Sequence, residues 1–181
     1  MIINPSAKQQ SAAMPKTLSE EMIRAGILLC IGLAWPALLH LIPTDYALGP
    51  ILMPLMLPLA LGAFILPSRS AVAVAWIMPF LSMSVTGMPP LVVALQLGAE
   101  GTILALTVEY LQRSDKPWWL AYGLGVLASR AGAWMISVMV LQAAPSAAFA
   151  TIGQGFIGLG LAGLMLPLLL SAFTKADSPT N

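Results

Sequence analysis

Two charged residues lie deep inside apolar stretches of this sequence, and they are the side chains best placed to do chemistry. Glu100 lies about 10 residues into one apolar stretch and Arg130 about 12 residues into the next. In antiparallel helices these positions lie roughly 15 Å and 18 Å from opposite faces, near the middle of a bilayer core about 30 Å thick. Buried charges need partners, so the two residues are expected to pair. The pair either locks two helices together or binds a polar solute. The two roles are compatible if the pair lines a water-filled cavity.

Other polar and aromatic side chains are candidates for the same solute site. Gln96 lies one helical turn from Glu100 on the same face. Small-molecule pockets are mostly apolar with a few placed polar groups, which tryptophan and glutamine side chains can provide. Packing, or a hydrogen bond between helices, is the alternative role for each one. The candidate solute-binding residues are Arg130, Glu100, Gln96, Trp134, Met56, Trp76, Gln154 and Asp45.

The elements that must position these residues are long apolar helices. Of the 181 residues 59% are hydrophobic and only 8% are charged, with a mean hydropathy of +0.89. A soluble domain carries about 25% charged residues, so the composition predicts an all-α integral membrane protein. We expect a flexible tail over residues 1–19, a membrane domain over 20–174 and a short tail over 175–181. The six predicted spans are 22–42, 48–66, 70–86, 90–111, 118–141 and 149–173.

The basic residues lie on alternate connections between these spans. Seven of the eight Lys and Arg residues lie before the first span or in its first turn, between the second and third spans, between the fourth and fifth, or after the sixth. The remaining one is Arg130. Loops 43–47, 86–90 and 142–148 carry no Lys or Arg. Because basic residues are retained on the cytoplasmic side, we predict a six-helix bundle with both termini in the cytoplasm.

The second span contains prolines at four-residue spacing. Pro50, Pro54 and Pro58 each lack a backbone donor and disturb a helix,. Carbonyl groups released in this way need other partners within a membrane. We therefore expect a bent or broken helix here, with carbonyl oxygens facing protein or a cavity.

Several functional classes lack their signatures in this sequence. There is no Walker motif, so the chain is not expected to hydrolyse ATP, and no nucleophile elbow or zinc signature is present,. The single cysteine, Cys30, and the single histidine, His40, exclude an internal disulfide and a multi-histidine metal site,. We expect no catalytic residues, metal site or cofactor, and we predict that the protein is not an enzyme. The charge of +1 gives no indication of nucleic-acid binding.

Small residues repeat along one face of the first span. Gly26, Cys30 and Ala34 recur at four-residue intervals, a pattern that lets another helix approach closely,. This face predicts either a contact with a partner protein or internal packing.

Several of these features together resemble a known family, the substrate-binding S components of energy-coupling factor (ECF) transporters. The resemblance covers nearly the whole chain after residue 20. It rests on Gly49, Pro50, Pro54 and Pro58, the turn Gly87-Met88-Pro89-Pro90, Leu97, Gly101, Arg130, Gly158, Gly163 and Pro167.

The resemblance implies a function and a set of partners. It implies a six-helix subunit of a bacterial or archaeal plasma membrane that binds a water-soluble vitamin or related micronutrient near the outer face. It also implies a transmembrane coupling subunit, contacted by the small-residue face of the first helix, and two ATPase subunits. Two residues depart from the family pattern: relatives often have His where this chain has Met56, and Glu where it has Gln96. The alternative is a stand-alone secondary transporter or channel that uses Glu100 and Arg130.

Overall fold

The protein is built from helices throughout the part of the chain that the structure describes. The computed structural model describes residues 15, 17–40, 52–140, 142–153 and 155–176. Within these residues the regular elements are α1 (Leu18–His40), α2 (Met56–Ile65), α3 (Ser68–Thr86), α4 (Leu91–Arg113), α5 (Trp118–Met139), α6 (Pro145–Gly153) and α7 (Phe156–Ala176).

Three of the described helices are long and apolar enough to cross a bilayer. They are α3, α4 and the segment Phe156–Phe173 of α7. Helix α2 is also apolar, but its 10 residues extend only about 15 Å, half of a bilayer core,. Helix α5 has 22 residues but includes Arg130 and three tryptophans, and it is not among the helices that are long and apolar enough to cross a bilayer.

The second predicted span is wrong in its extent, because the helix begins only at Met56. The chain turns through Pro54 and Leu55, and Met53 has a positive φ of 42°. A left-handed residue cannot continue a right-handed helix, which explains the break. Pro58 lies within the first turn of α2, where a backbone donor has no helical partner to lose. Pro50 lies outside the described residues.

The sixth predicted span is likewise divided into two helices, α6 and α7. Gly155 lies between them with a φ of 88°, a conformation that glycine adopts without steric cost,. Helix α6 packs against α5. The break therefore lets a short separate helix cover part of α5 before the chain continues as α7.

Helices α2 and α4 lie at the centre of the fold. Helix α4 packs against α2, α3 and α5, and α2 also packs against α1 and α7. Every residue of α2 except Leu57 is buried, and Phe64 and Ile65 are among the most buried side chains. Because α2 is enclosed by protein, its irregular start can be tolerated in an apolar setting.

One end of the bundle is held together by charged side chains of α1 and α3 and by an aromatic side chain of α7. Arg69 of α3 forms an ion pair with Glu21 of α1 at 3.5 Å, and the Ser70 hydroxyl donates a hydrogen bond to the same carboxylate. The guanidinium of Arg24 lies 5.8 Å from the centre of the Phe173 ring in α7. These contacts fix the start of α1 against α3 and α7.

The connector at the other end of α3 is capped by Gly87. Gly87 has a φ of 74°, and its backbone N–H donates to the carbonyl of Met83, which ends the helix in a left-handed cap,. The Ser82 hydroxyl donates to the Met88 carbonyl at 2.9 Å. The Gly87–Pro90 connector is thus fixed by local hydrogen bonds, and it starts α4 at Leu91.

Candidate functional site

Helices α4 and α5 bring Glu100 and Arg130 into direct contact. Arg130 Nη2 lies 2.7 Å from Glu100 Oε2, and the two side chains are 5% and 1% exposed. The pairing predicted from their depths in consecutive helices is therefore confirmed. A buried ion pair in the centre of an apolar bundle is expensive to desolvate, so it needs a structural or a functional reason.

Two half-buried side chains complete the group around this buried pair. Gln96 Nε2 donates to Glu100 Oε1 at 3.1 Å from one turn earlier on α4. Arg130 Nη2 also donates to Met53 Sδ at 3.0 Å. We call Met53, Gln96, Glu100 and Arg130 the buried polar cluster. Its members come from α4, from α5 and from the irregular segment that precedes α2, so the break in the proline segment helps to build it.

One donor of the cluster has no partner. Among the described residues, no acceptor receives a hydrogen bond from Arg130 Nε, although this atom is buried. Glu100 Oε2 is close to Arg130 but is not aligned for a hydrogen bond. Buried polar groups in proteins are nearly always hydrogen-bonded. The unpaired Nε–H is therefore a position at which an acceptor on a bound molecule would be stabilised.

A surface cleft lies directly beside this arginine, between α5 and α6. Its volume is about 610 Å³, within the range of small-molecule sites,. Trp134 follows Arg130 by one turn on the same face of α5. The exposed surface of the cleft is apolar. It is lined by Arg130, Ala131, Trp134, Pro145, Ser146 and Phe149.

The structure does not bring Trp76 to the buried polar cluster. Its Nε1 donates to Thr102 Oγ1 at 3.0 Å, and its ring stacks on Phe80. Its ring also lies against Gly98, where a side chain would have no room. Gly98 and Thr102 are each two residues from Glu100, so they project from the other side of α4. Trp76 thus packs α3 against α4.

Of the three remaining predicted solute-binding residues, one lies in the hydrophobic core and two lie outside the residues that the structure describes. Met56 is 1% exposed and packs in the hydrophobic core, and its backbone N–H donates to the Met53 carbonyl. It is the neighbouring Met53 that contacts Arg130. Asp45 and Gln154 lie outside the described residues.

The small-residue face of α1 points outward. Cys30 and Ala34 are exposed, and among the described residues no atom lies within 4 Å of the position where a Gly26 side chain would begin. Leu28 and Gly32 occupy the inward face, where Met78 fills the space next to Gly32. The small-residue face is therefore free of internal packing partners at Gly26.

Sequence reasoning missed Met53 and Phe149. A bend or break within 48–66 is predicted from the prolines, but it does not define which residue faces Arg130. Phe149 was treated as the start of a long span, whereas the break at Gly155 makes it part of a short helix beside the cleft. The adjacent prolines and glycines were the available signals, but they do not define the direction of either segment.

Comparisons with models of known families, with curated protein sequences and with solved structures found no match to this chain.

Proposed function

We propose that this protein is a membrane-embedded solute-binding subunit that captures a small water-soluble vitamin or related micronutrient for uptake. The observation that carries the proposal is a buried, incompletely hydrogen-bonded Arg130 at the edge of a cleft of small-molecule size. Charged groups inside apolar bundles mark solute or ion sites by default. The cluster contains no nucleophile next to a base, so binding fits it better than catalysis.

The proposed arrangement has six membrane segments and both termini in the cytoplasm. The distribution of Lys and Arg over alternate connections supports this orientation,. The short helix α2 would cross half of the bilayer, with the residues before it in the outer half. In this orientation α6 and the cleft belong to the outer half too, where a solute arriving from outside reaches them first.

The proposed energy source is a separate module with a transmembrane coupling subunit and two ATPase subunits. The sequence resemblance to S components supports this, and the absence of a Walker motif requires that ATP be hydrolysed elsewhere,. The alternative, a stand-alone secondary transporter, is favoured by one observation: Glu100 and Arg130 form a buried pair of the kind found in proton-coupled carriers,.

Uptake measurements distinguish these two functions. We expect cells that express this protein to accumulate a radiolabelled vitamin only when the coupling and ATPase subunits of the same host are present. Deletion of the ATPase subunits should reduce uptake to background. A protonophore should lower uptake only to the extent that it lowers the ATP concentration of the cells. Uptake that persists without those subunits and collapses with the proton gradient would establish the alternative.

The small-residue face of α1 provides a test of the proposed partner. We expect Gly26→Leu to leave the melting temperature in detergent unchanged, because no atom of the described chain lies within 4 Å of the new Cβ. It should nevertheless block assembly with the coupling subunit by filling a face that helices approach closely. Co-purification of the complex measures the loss.

Gly32→Leu on the opposite face is the matched control. A side chain there would collide with Met78, whose Cγ lies 2.8 Å from the position of the new Cβ, so this variant should lose stability. Normal co-purification of Gly26→Leu would contradict the assignment of this face to the partner.

A further inference from the structure

The charge balance of the buried polar cluster constrains what the cleft can bind. Glu100 and Arg130 neutralise one another at 2.7 Å, and Gln96 is neutral. The other buried charged side chains of the described chain, Glu21 and Arg24, lie in α1 at the end that carries Arg69. A charged solute at Arg130 would therefore add an uncompensated charge to an apolar interior, whereas a neutral one would not.

The hydrogen-bonding state of Arg130 constrains the solute further. A guanidinium has donors only, and its Nη2 is already used by Glu100 and Met53,. The Nε–H is buried and has no acceptor among the described residues, and both bidentate forks of a guanidinium include the Nη2 that Glu100 and Met53 already engage. A carbonyl oxygen or an unprotonated ring nitrogen satisfies one donor, while a carboxylate or a phosphate is matched by the bidentate fork that this arginine no longer offers.

The walls of the cleft favour a flat molecule. Trp134 and Phe149 both line it, and Pro145 adds a third rigid apolar surface. Aromatic side chains stack on planar rings in offset or edge-to-face arrangements. Phe149 is 72% exposed, whereas Arg130 Nε is buried beside the cleft, so a solute reaches the guanidinium only if the surrounding side chains move.

We infer that the solute is a neutral planar heterocycle with a carbonyl or ring-nitrogen acceptor, which binds between Trp134 and Phe149 and accepts a hydrogen bond from Arg130. This inference rests on the proposed function and narrows its substrate class. Glu100 then excludes anions, because its carboxylate already forms the ion pair with Arg130 that an anionic solute would need.

Matched pairs of ligands test the inference on the full-length protein in detergent or nanodiscs. Nicotinamide with nicotinate, and pterin with pterin-6-carboxylate, compare a neutral ring with an anionic derivative of the same ring. Melting temperature and tryptophan fluorescence report binding, and the small molecule that co-purifies with the protein is identified by mass spectrometry. We expect a neutral planar molecule to co-purify and the neutral member of a pair to bind more tightly.

The Glu100→Gln variant provides a more stringent test of the role of Glu100 in selecting a neutral solute. Without the carboxylate, Arg130 carries an uncompensated charge, so the preference should move toward the anionic member by at least about tenfold in the affinity ratio. Glu109→Gln, which removes the carboxylate of an ion pair with the exposed Arg113, should leave the ratio unchanged. Trp134→Ala should weaken both members equally.

The outcomes separate this inference from the proposed function. A co-purifying anion, or an anionic member preferred by the unaltered protein, overturns the neutral class and leaves the solute-binding function intact. A non-planar bound molecule overturns the stacking role of Trp134 and Phe149. If nothing co-purifies and no member of either pair binds, both the inference and the proposed function fail.

Discussion

Replacement of Arg130 by alanine is expected to abolish solute binding and to destabilise the protein by about 3–5 kcal/mol. The substitution removes the Nε–H donor and leaves the Glu100 carboxylate buried without its counter-charge, 1% exposed. Titration of the folded protein with SDS measures the loss in stability, and the melting-temperature shift on addition of solute measures the loss in binding. Insertion into the membrane should continue, because removing a charge from a helix lowers the cost of insertion.

A double variant separates the structural contribution of the pair from its contribution to binding. Arg130→Met combined with Glu100→Met replaces a buried ion pair by apolar side chains, a change that is often neutral or stabilising. We expect stability to return to within about 1 kcal/mol of the original protein while binding stays absent. Solute binding by this double variant would show that the pair only locks α4 to α5.

The ion pair of Arg113 with Glu109 is the matched control. It has the same chemistry and a similar distance, 2.6 Å, but the Arg113 side chain is 77% exposed. Exposed pairs contribute little, so Arg113→Ala should change stability by less than about 1 kcal/mol and leave binding intact.

Gly158→Ala is expected to have the second-largest effect, a loss of about 1–3 kcal/mol together with weaker solute binding. The Cβ of an alanine at this position would collide with the backbone of Leu52, whose Cα would lie 2.9 Å away. Backbone atoms cannot rotate aside as a side chain can. The segment that carries Met53 would have to move, and with it the sulfur that accepts from Arg130.

Gly160→Ala distinguishes this collision from a general effect of the substitution. It lies two residues away on α7, and in the part of the chain that the structure describes no atom lies within 4 Å of the position of its new Cβ. Alanine is a better helix former than glycine, so Gly160→Ala should keep or slightly raise stability. Equal losses in the two variants would contradict the direct packing of α7 on the segment before α2.

The helices and the charged pair could be predicted from the sequence, because simple geometry controls both. Consecutive helices with a short connector run antiparallel, so the number of residues from each helix end places Glu100 and Arg130 at similar depth. Their pairing follows from the cost of burying either charge alone. The start of α2 at Met56 was foreseen only as a bend or a break in a proline-rich segment.

The surroundings of the pair could not be predicted from the sequence. Met53 reaches Arg130 through a left-handed backbone conformation that is uncommon for a methionine,. Gly155 is one of the five glycines from Gly153 to Gly163, both included. Their spacing alone does not reveal which of them turns the chain. Trp76 is a candidate for the solute site because tryptophan can donate a hydrogen bond and stack, but helical phase places its partners Gly98 and Thr102 on the other side of α4.

The measurement that tests the central claim most directly is identification of the small molecule carried by the purified protein. The intact protein and the Arg130→Ala variant, both extracted in mild detergent, are denatured and their released molecules are quantified by mass spectrometry. We predict one small polar molecule in near-equimolar amount from the intact protein and none from the variant. The same molecule in equal amount from both would contradict the role of Arg130. The absence of any bound molecule, together with no melting-temperature shift from a panel of vitamins and their precursors, would contradict the solute-binding function itself.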